Sequence, residues 1–163
     1  EDLRYQLYTR PISEMTYDQV SGGRAYCEGL LTGEKRNAGP TVPEMLLIKA
    51  EGEARAGDTD AAMTSINKLR MARFKAEDYV PLTAADAEEA LLKVLEERRK
   101  ELMAKGGFRW FDLKRLNKDP RFAKTITHQY IDEVYTLEPE GDRYQFPFAS
   151  SLFQYAPNLE QNP

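Results

Sequence analysis

Two stretches of nearly equal length constrain what this chain can fold into. Residues 41–73 and 83–116 span 33 and 34 residues, and each reads as two helices joined by a turn that carries glycine. The first opens at Thr41-Val42-Pro43-Glu44. Thr41 can accept from the Glu44 amide, Glu44 can reach back to the Thr41 amide, and Pro43 sits where a missing N–H is not needed. A helix then runs to about Ala56, with Leu47, Ala50 and Ala54 on one face, and Gly57 stops it as a left-handed cap. Asp58 caps a helix over 59–73 whose inward face is Ala62, Ile66, Leu69 and Arg73. So short a turn folds the two helices into an antiparallel hairpin. In the second stretch Thr83 caps a helix, with Asp86 in the place of the glutamate. Its buried stripe is Ala87, Leu91, Val94, Leu95, Arg98 and Leu102. Gly106-Gly107 ends it, and a fourth helix covers 108–116, closed by Asn117.

A period of this length belongs to tetratricopeptide-like repeats, which place small residues where the two helices of a pair approach closely. Ala50 and Ala62 hold those places. Two pairs seldom bury a continuous core, and about three are needed. Further repeats upstream, or a core completed by the rest of the chain, are therefore expected. Glu1 in place of an initiator, directly before a strand-like stretch, likewise suggests a processed or excised piece of a larger protein. Residues 1–40 read as a strand over Leu3–Tyr8 followed by a long glycine-punctuated loop, of the kind that is often functional. Residues 117–163 read as a strand over 124–131 and a β-hairpin turning at Pro139-Glu140-Gly141-Asp142, with arms at Tyr135–Glu138 and Arg143–Phe146. A Pro/Asn-rich tail then lies as ordered coil against the helices. The expected fold is mainly α: tetratricopeptide-like helix pairs over 41–116, with a small β-hairpin and a coil tail.

Composition excludes several functions. A formal charge of −4 gives no basic field for nucleic acid. No run of 18 apolar residues is present to span a bilayer. One Cys and one His are too few for a closed zinc site, and no cofactor motif appears, so neither metal nor cofactor is expected. His128 shares a strand face with Ile126 and Tyr130 and reads as structural. Cys27 would need a lowered pKa to act as a nucleophile, and His128 is its sole possible histidine partner.

The densest stretch, Leu95–Leu116, holds seven positive and four negative residues beside the single tryptophan, Trp110. Glu96, Arg99 and Lys100 read as ordinary ion pairs along a helix. Arg98 interrupts an apolar stripe, and a buried arginine must be paired. Arg109 and Asp112 lie one turn apart beside Trp110. Glu97, Arg98, Arg109 and Asp112 are therefore expected to form a buried ion-pair network under Trp110 that locks the third helix onto the fourth. No residue is expected to be catalytic. The aromatic side chains Tyr8, Tyr17 and Tyr26, and Trp110 if exposed, are candidates for stacking on sugar rings.

Several separated motifs complete the reading. They are Asp2-Leu3-Arg4-Tyr5; Val42 to Glu51 (VPEMLLIKAE) with Ala54-Arg55-Ala56-Gly57-Asp58; Ile66-Asn67-Lys68-Leu69-Arg70; Glu97-Arg98-Arg99-Lys100-Glu101-Leu102; Gly107 to Arg115 (GFRWFDLKR); Tyr144-Gln145-Phe146-Pro147; and Asn158 to Pro163 (NLEQNP). Their order resembles the C-terminal part of SusD/RagB-family proteins over essentially the whole chain. It departs from the family at Met103-Ala104-Lys105-Gly106 and at Phe146-Pro147-Phe148-Ala149-Ser150. The resemblance implies an α-helical, non-catalytic lipoprotein exposed on the bacterial outer membrane. Such a protein binds oligosaccharides or other nutrients and closes over a TonB-dependent, SusC-like transporter. Its lipid-bearing cysteine would lie upstream. The family's ligand contacts come mostly from upstream segments, so the resemblance transfers no binding residue. The repeat period taken alone suggests instead a protein–protein adaptor that binds no glycan. A hydrolase using Glu97 or Glu101 is the third reading.

Overall fold

The computed structural model describes residues 1–15, 23–26, 40–103 and 105–162, with Met15 and Tyr26 described by their backbones alone. The fold is mainly α and divides into two compact units, Glu1–Lys105 and Gly106–Pro163.

Three helices form the core of the first unit: α3 (Val42–Arg55), α4 (Thr59–Arg70) and α5 (Ala87–Glu101). The caps read from sequence form at the first pair. The Thr41 hydroxyl accepts from the Glu44 amide, and the Asp58 carboxylate accepts from the Ala61 amide at 3.0 Å. Gly57 turns the chain at φ 87°, a conformation that a side chain would strain. α3 packs on α4, and both pack on α5. Ala50 and Ala62 are fully buried, as are Leu47, Ile66 and Val94, so small residues do sit where the helices meet. α4 ends at Arg70, short of the expected 73, and α5 starts later than expected. Asp86 is itself the cap of α5, accepting from the Glu89 amide at 2.8 Å, while Glu89 accepts from the Ala85 amide. The link between α4 and α5 is fastened by Asn67. Its side chain donates to the Leu82 carbonyl at 2.7 Å and accepts from the Leu82 amide at 2.8 Å.

Leu3–Tyr8 alternates like a strand but is a helix, α1. Asp2 caps it by accepting from the Arg4 amide at 3.0 Å. A strand would have put Gln6 on the same face as Arg4 and Tyr8. The helix places Arg4 and Tyr8 one turn apart on the buried face and leaves Gln6 exposed. The Leu3 amide donates to the Arg73 carbonyl at 2.9 Å, which fastens α1 to the end of α4. After α1 come β1 (Thr9–Pro11), α2 (Ile12–Met15) and β2 (Arg24–Tyr26). β1 and β2 pair antiparallel, with Thr9 opposite Tyr26.

The second unit opens with α6 (Phe108–Leu116), the fourth helix at its expected bounds. Gly107 precedes it at φ 80°. The β-hairpin lies earlier than expected. Its strands are β3 (Ile126–Tyr130) and β4 (Glu133–Leu137), with Tyr130 opposite Glu133. The turn falls at Ile131-Asp132, and Ile131 adopts φ 54°. Gly141, the residue that suggested a turn at 139–142, is in extended backbone and opens a 3-10 helix over Asp142–Tyr144. α7 (Leu152–Tyr155) follows. The tail is tied by amide side chains. Gln161 accepts from the Phe148 amide at 2.7 Å and donates to the Phe148 carbonyl at 3.1 Å, and Asn162 donates to the Phe146 carbonyl at 2.9 Å.

Trp110 lies over Tyr144 at 4.8 Å between ring centroids and stacks on Phe146 at 5.3 Å. Tyr144 is buried, Trp110 is half-buried and Phe146 is exposed. Trp110 is thus the middle ring of a stack and not a core side chain. Two ring pairs are worth about 1–3 kcal/mol together. Trp110→Ala is expected to cost that much in a urea melt of the full-length protein, less than the 3–5 kcal/mol (roughly) of a fully buried ring.

Candidate functional site

The first unit is built around an ionic lattice in its interior. α5 presents Glu97 and Glu101 one turn apart, at 1 % and 0 % exposure. α1 presents Arg4 and Tyr8 at the same spacing, α4 ends on Arg70, and Arg73 follows in the turn after it. Two helices with matching four-residue spacing meet in register, so each carboxylate finds partners from both other segments. Arg4 Nη2 lies 2.6 Å from Glu97 Oε1 and 2.7 Å from Asp2 Oδ2, and its Nη1 is 3.5 Å from Glu101 Oε2. Arg70 Nη1 donates to Glu97 Oε2 at 3.0 Å. Arg73 grips Glu101 with two hydrogen bonds, Nε to Oε2 at 2.9 Å and Nη2 to Oε1 at 2.8 Å. The Tyr8 hydroxyl donates to Glu101 Oε1 at 3.3 Å, and Lys105 closes the edge at 3.8 Å.

Burial alone would raise the Glu101 pKa. The Arg73 hydrogen bonds and the charges of Arg73, Lys105 and Arg4 outweigh it and hold the carboxyl below its ordinary value of 4.5. Burial, and then the Glu101 charge, push Tyr8 up to about 12. A carboxylate held ionised and away from water suits a structural clamp. A general acid would need a raised pKa and access to substrate.

The sign of the pH dependence follows. Glu101 has a lowered folded pKa, so its contribution is present above 4.5 and is lost as pH falls through the folded value. Tyr8 has a raised one, so its contribution is present below 10.0 and is lost as pH rises towards about 12. The expected result of urea melts across this range is a plateau in unfolding free energy near neutrality with a fall on both sides. Glu101→Gln should flatten the acid limb.

Arg4, Arg70, Arg73 and Glu101 were not in the network expected from sequence. Glu97 was, and its described ion pairs run to Arg4 and Arg70. Arg98 and Asp112 are buried, and Arg109 is exposed. In the second unit Asp112 accepts from Arg115 Nε at 2.8 Å. Besides Glu97, Arg73 on the inward face of the expected helix is the sequence signal of the lattice. Glu96 and Lys100 form the ordinary surface pair, at 2.7 Å.

Of the aromatic candidates, Tyr8 is buried at 4 % exposure with Lys105 over its ring, and a covered ring offers no face to a sugar. Tyr17 lies outside the described residues, as does Cys27. Tyr26 is described only as the strand partner of Thr9. His128 is exposed, opposite Tyr135 in the hairpin. Among the described residues no group of His, Cys, Asp or Glu is arranged to hold a metal ion, and no helix is long and apolar enough to cross a membrane.

A cleft of about 390 Å³ opens beside β1, within the segment where the sequence placed a functional loop. Such a volume falls in the range of small-ligand sites. Among the described residues, Gln6, Thr9, Arg10, Glu14 and Arg24 supply its polar groups, and Leu7 and Pro11 its apolar walls. Arg24 is fixed by Thr9: Nε donates to the hydroxyl at 2.8 Å and Nη2 to the carbonyl at 2.7 Å. Its guanidinium also lies 5.1 Å over the Tyr5 ring, a cation–π contact. Arg10 and Glu14 approach to 3.4 Å and are each about half exposed.

Comparison with known proteins places this architecture. The model of the SusD family matches residues 42–163. SusD-like protein P38 of Formosa agariphila is 38 % identical over 80 residues, which are 46 % of this chain and 16 % of that protein. The crystal structure of a SusD superfamily protein from Bacteroides vulgatus aligns with a TM-score of 0.60 at 25 % identity, over 99 % of this chain and 35 % of that one. The chain thus spans 16 % and 35 % of the length of these two relatives. The family match takes in the three core helices, the aromatic stack, the hairpin and the tied tail, and on that ground the chain belongs to the SusD family.

Proposed function

We propose that the chain serves, as part of a longer protein, in the capture of an oligosaccharide nutrient at the bacterial surface. The nutrient is bound without chemical change and passed to a TonB-dependent, SusC-like transporter in the outer membrane. The protein is held there by a lipid on an N-terminal cysteine. The observation that carries this reading is the family membership over residues 42–163. Two features of the structure support it. The most conspicuous carboxylates, Glu97 and Glu101, are clamped by arginines and removed from solvent. The cleft beside β1 instead mixes donors, acceptors and apolar walls, which suits the hydroxyls and C–H faces of a sugar.

The delivery step is tested by affinity purification of the full-length protein from detergent-solubilised outer membranes. A large β-barrel transporter is expected to co-purify in stoichiometric amount. Recovery of the protein from the cytoplasmic fraction, with no barrel attached, would refute the reading.

A further inference from the structure

We propose that the cleft between Arg10 and Arg24 is a subsite for a sugar unit carrying an anionic substituent, a carboxylate or a sulfate. The inference rests on the nutrient-binding reading and names the substrate class for it. Its basis is charge. Of the charged groups among the described residues lining the cleft, two are arginines and one is a glutamate. Arg10 and Glu14 offset each other at 3.4 Å, loosely and in contact with water. The described partners of Arg24 are all neutral: the Thr9 hydroxyl, the Thr9 carbonyl and the Tyr5 ring. The described lining therefore carries one positive charge in excess, on a chain whose formal net charge is −4.

The geometry suits an oxyanion. Thr9 engages Nε and Nη2 and so fixes the plane of the Arg24 guanidinium, while Nη1 takes no part in those bonds. A guanidinium held in place loses little entropy on binding, and paired N–H donors match the two oxygens of a carboxylate or sulfate. Arg10, opposite Ala25 in the β1–β2 pair, can leave its long contact with Glu14 for a shorter one to the ligand. Leu7 and Pro11 would receive the C–H face of the ring, and Gln6 and Glu14 its hydroxyls.

The test uses the full-length protein in titration calorimetry. Three oligosaccharides of equal length are compared: neutral, uronate-bearing and sulfated. The two anionic arms tell the substituents apart. The expected result is tighter binding of at least one anionic ligand than of the neutral one, with affinity falling as salt is raised from about 50 to 200 mM. Arg10→Gln should lower the anionic-to-neutral affinity ratio by about tenfold, since a hydrogen bond to a charged group is worth that much or more. Arg10→Lys should restore part of it. Lys68→Gln, an exposed charge removed from α4, should leave the ratio as it was. A neutral ligand bound at least as tightly as both anionic ones, or a ratio that Arg10→Gln does not move, overturns the subsite and leaves the nutrient reading standing. A protein that binds none of the three refutes both.

Discussion

Glu97→Ala is expected to destabilise the full-length protein by about 3–5 kcal/mol, the cost of removing one partner from a buried ionic group. Glu97 is 1 % exposed and receives both Arg4 and Arg70, themselves buried. Without it two guanidiniums remain in the interior with one counter-charge fewer, and the structure must either hydrate them or expel α1. The second course would detach Asp2, Arg4 and Tyr8 together, because all three reach α5 through the same lattice. The effect should therefore exceed by far that of Glu96→Ala, one residue away. Glu96 pairs with Lys100 at the surface, where an ion pair is worth at most about 1 kcal/mol. Urea unfolding of the two variants makes the comparison, and a loss below about 1 kcal/mol for Glu97→Ala would show that the lattice does not hold the unit together.

Ile66→Ala should cost about 2–5 kcal/mol by a different mechanism, lost burial plus a cavity. Ile66 is fully buried on α4, in the layer with Ala62, Leu47 and Val94. Ala50 and Ala62 bring the backbones close, so the volume left by a shortened Ile66 cannot be filled by small side chains already in contact. This loss should be nearly independent of pH, whereas the contribution of the Glu101 carboxylate, held below its ordinary value by Arg73, Lys105 and Arg4, is lost as pH falls. Comparing Ile66→Ala with Glu101→Gln in melts at acid and neutral pH separates the apolar core from the ionic one.

The first helix pair was legible because its signals are local. A threonine and an aspartate in cap positions, a glycine at the turn and alanines on the inner face each act within one or two turns of helix, and all four appear in the structure. The ionic lattice was less legible because its partners are remote in sequence: Tyr8 meets Glu101, and Arg70 meets Glu97. Nothing near Glu97 distinguishes an arginine on its own helix from one brought by α1. Leu3–Tyr8 reads as a strand because alternation in so short a stretch fits either period, and the cap at Asp2 favours the helix. The hairpin was misplaced because glycine is the usual marker of a tight turn. Here an isoleucine adopts the left-handed conformation at φ 54°, a choice no turn preference favours. The candidate cleft was legible only as a region. The long segment after Tyr8 pointed to it, but the pairing of Arg24 with Thr9 that shapes it is a product of the β1–β2 contact.

We propose that this SusD-family chain serves capture and not chemistry. The most direct measurement is titration of a panel of oligosaccharides into the full-length protein, with chromatography of each sugar afterwards. Saturable binding of at least one oligosaccharide and its recovery at unchanged length are expected. Shortened products that disappear with Glu97→Gln or Glu101→Gln, or the absence of heat with every oligosaccharide tried, would contradict the proposal.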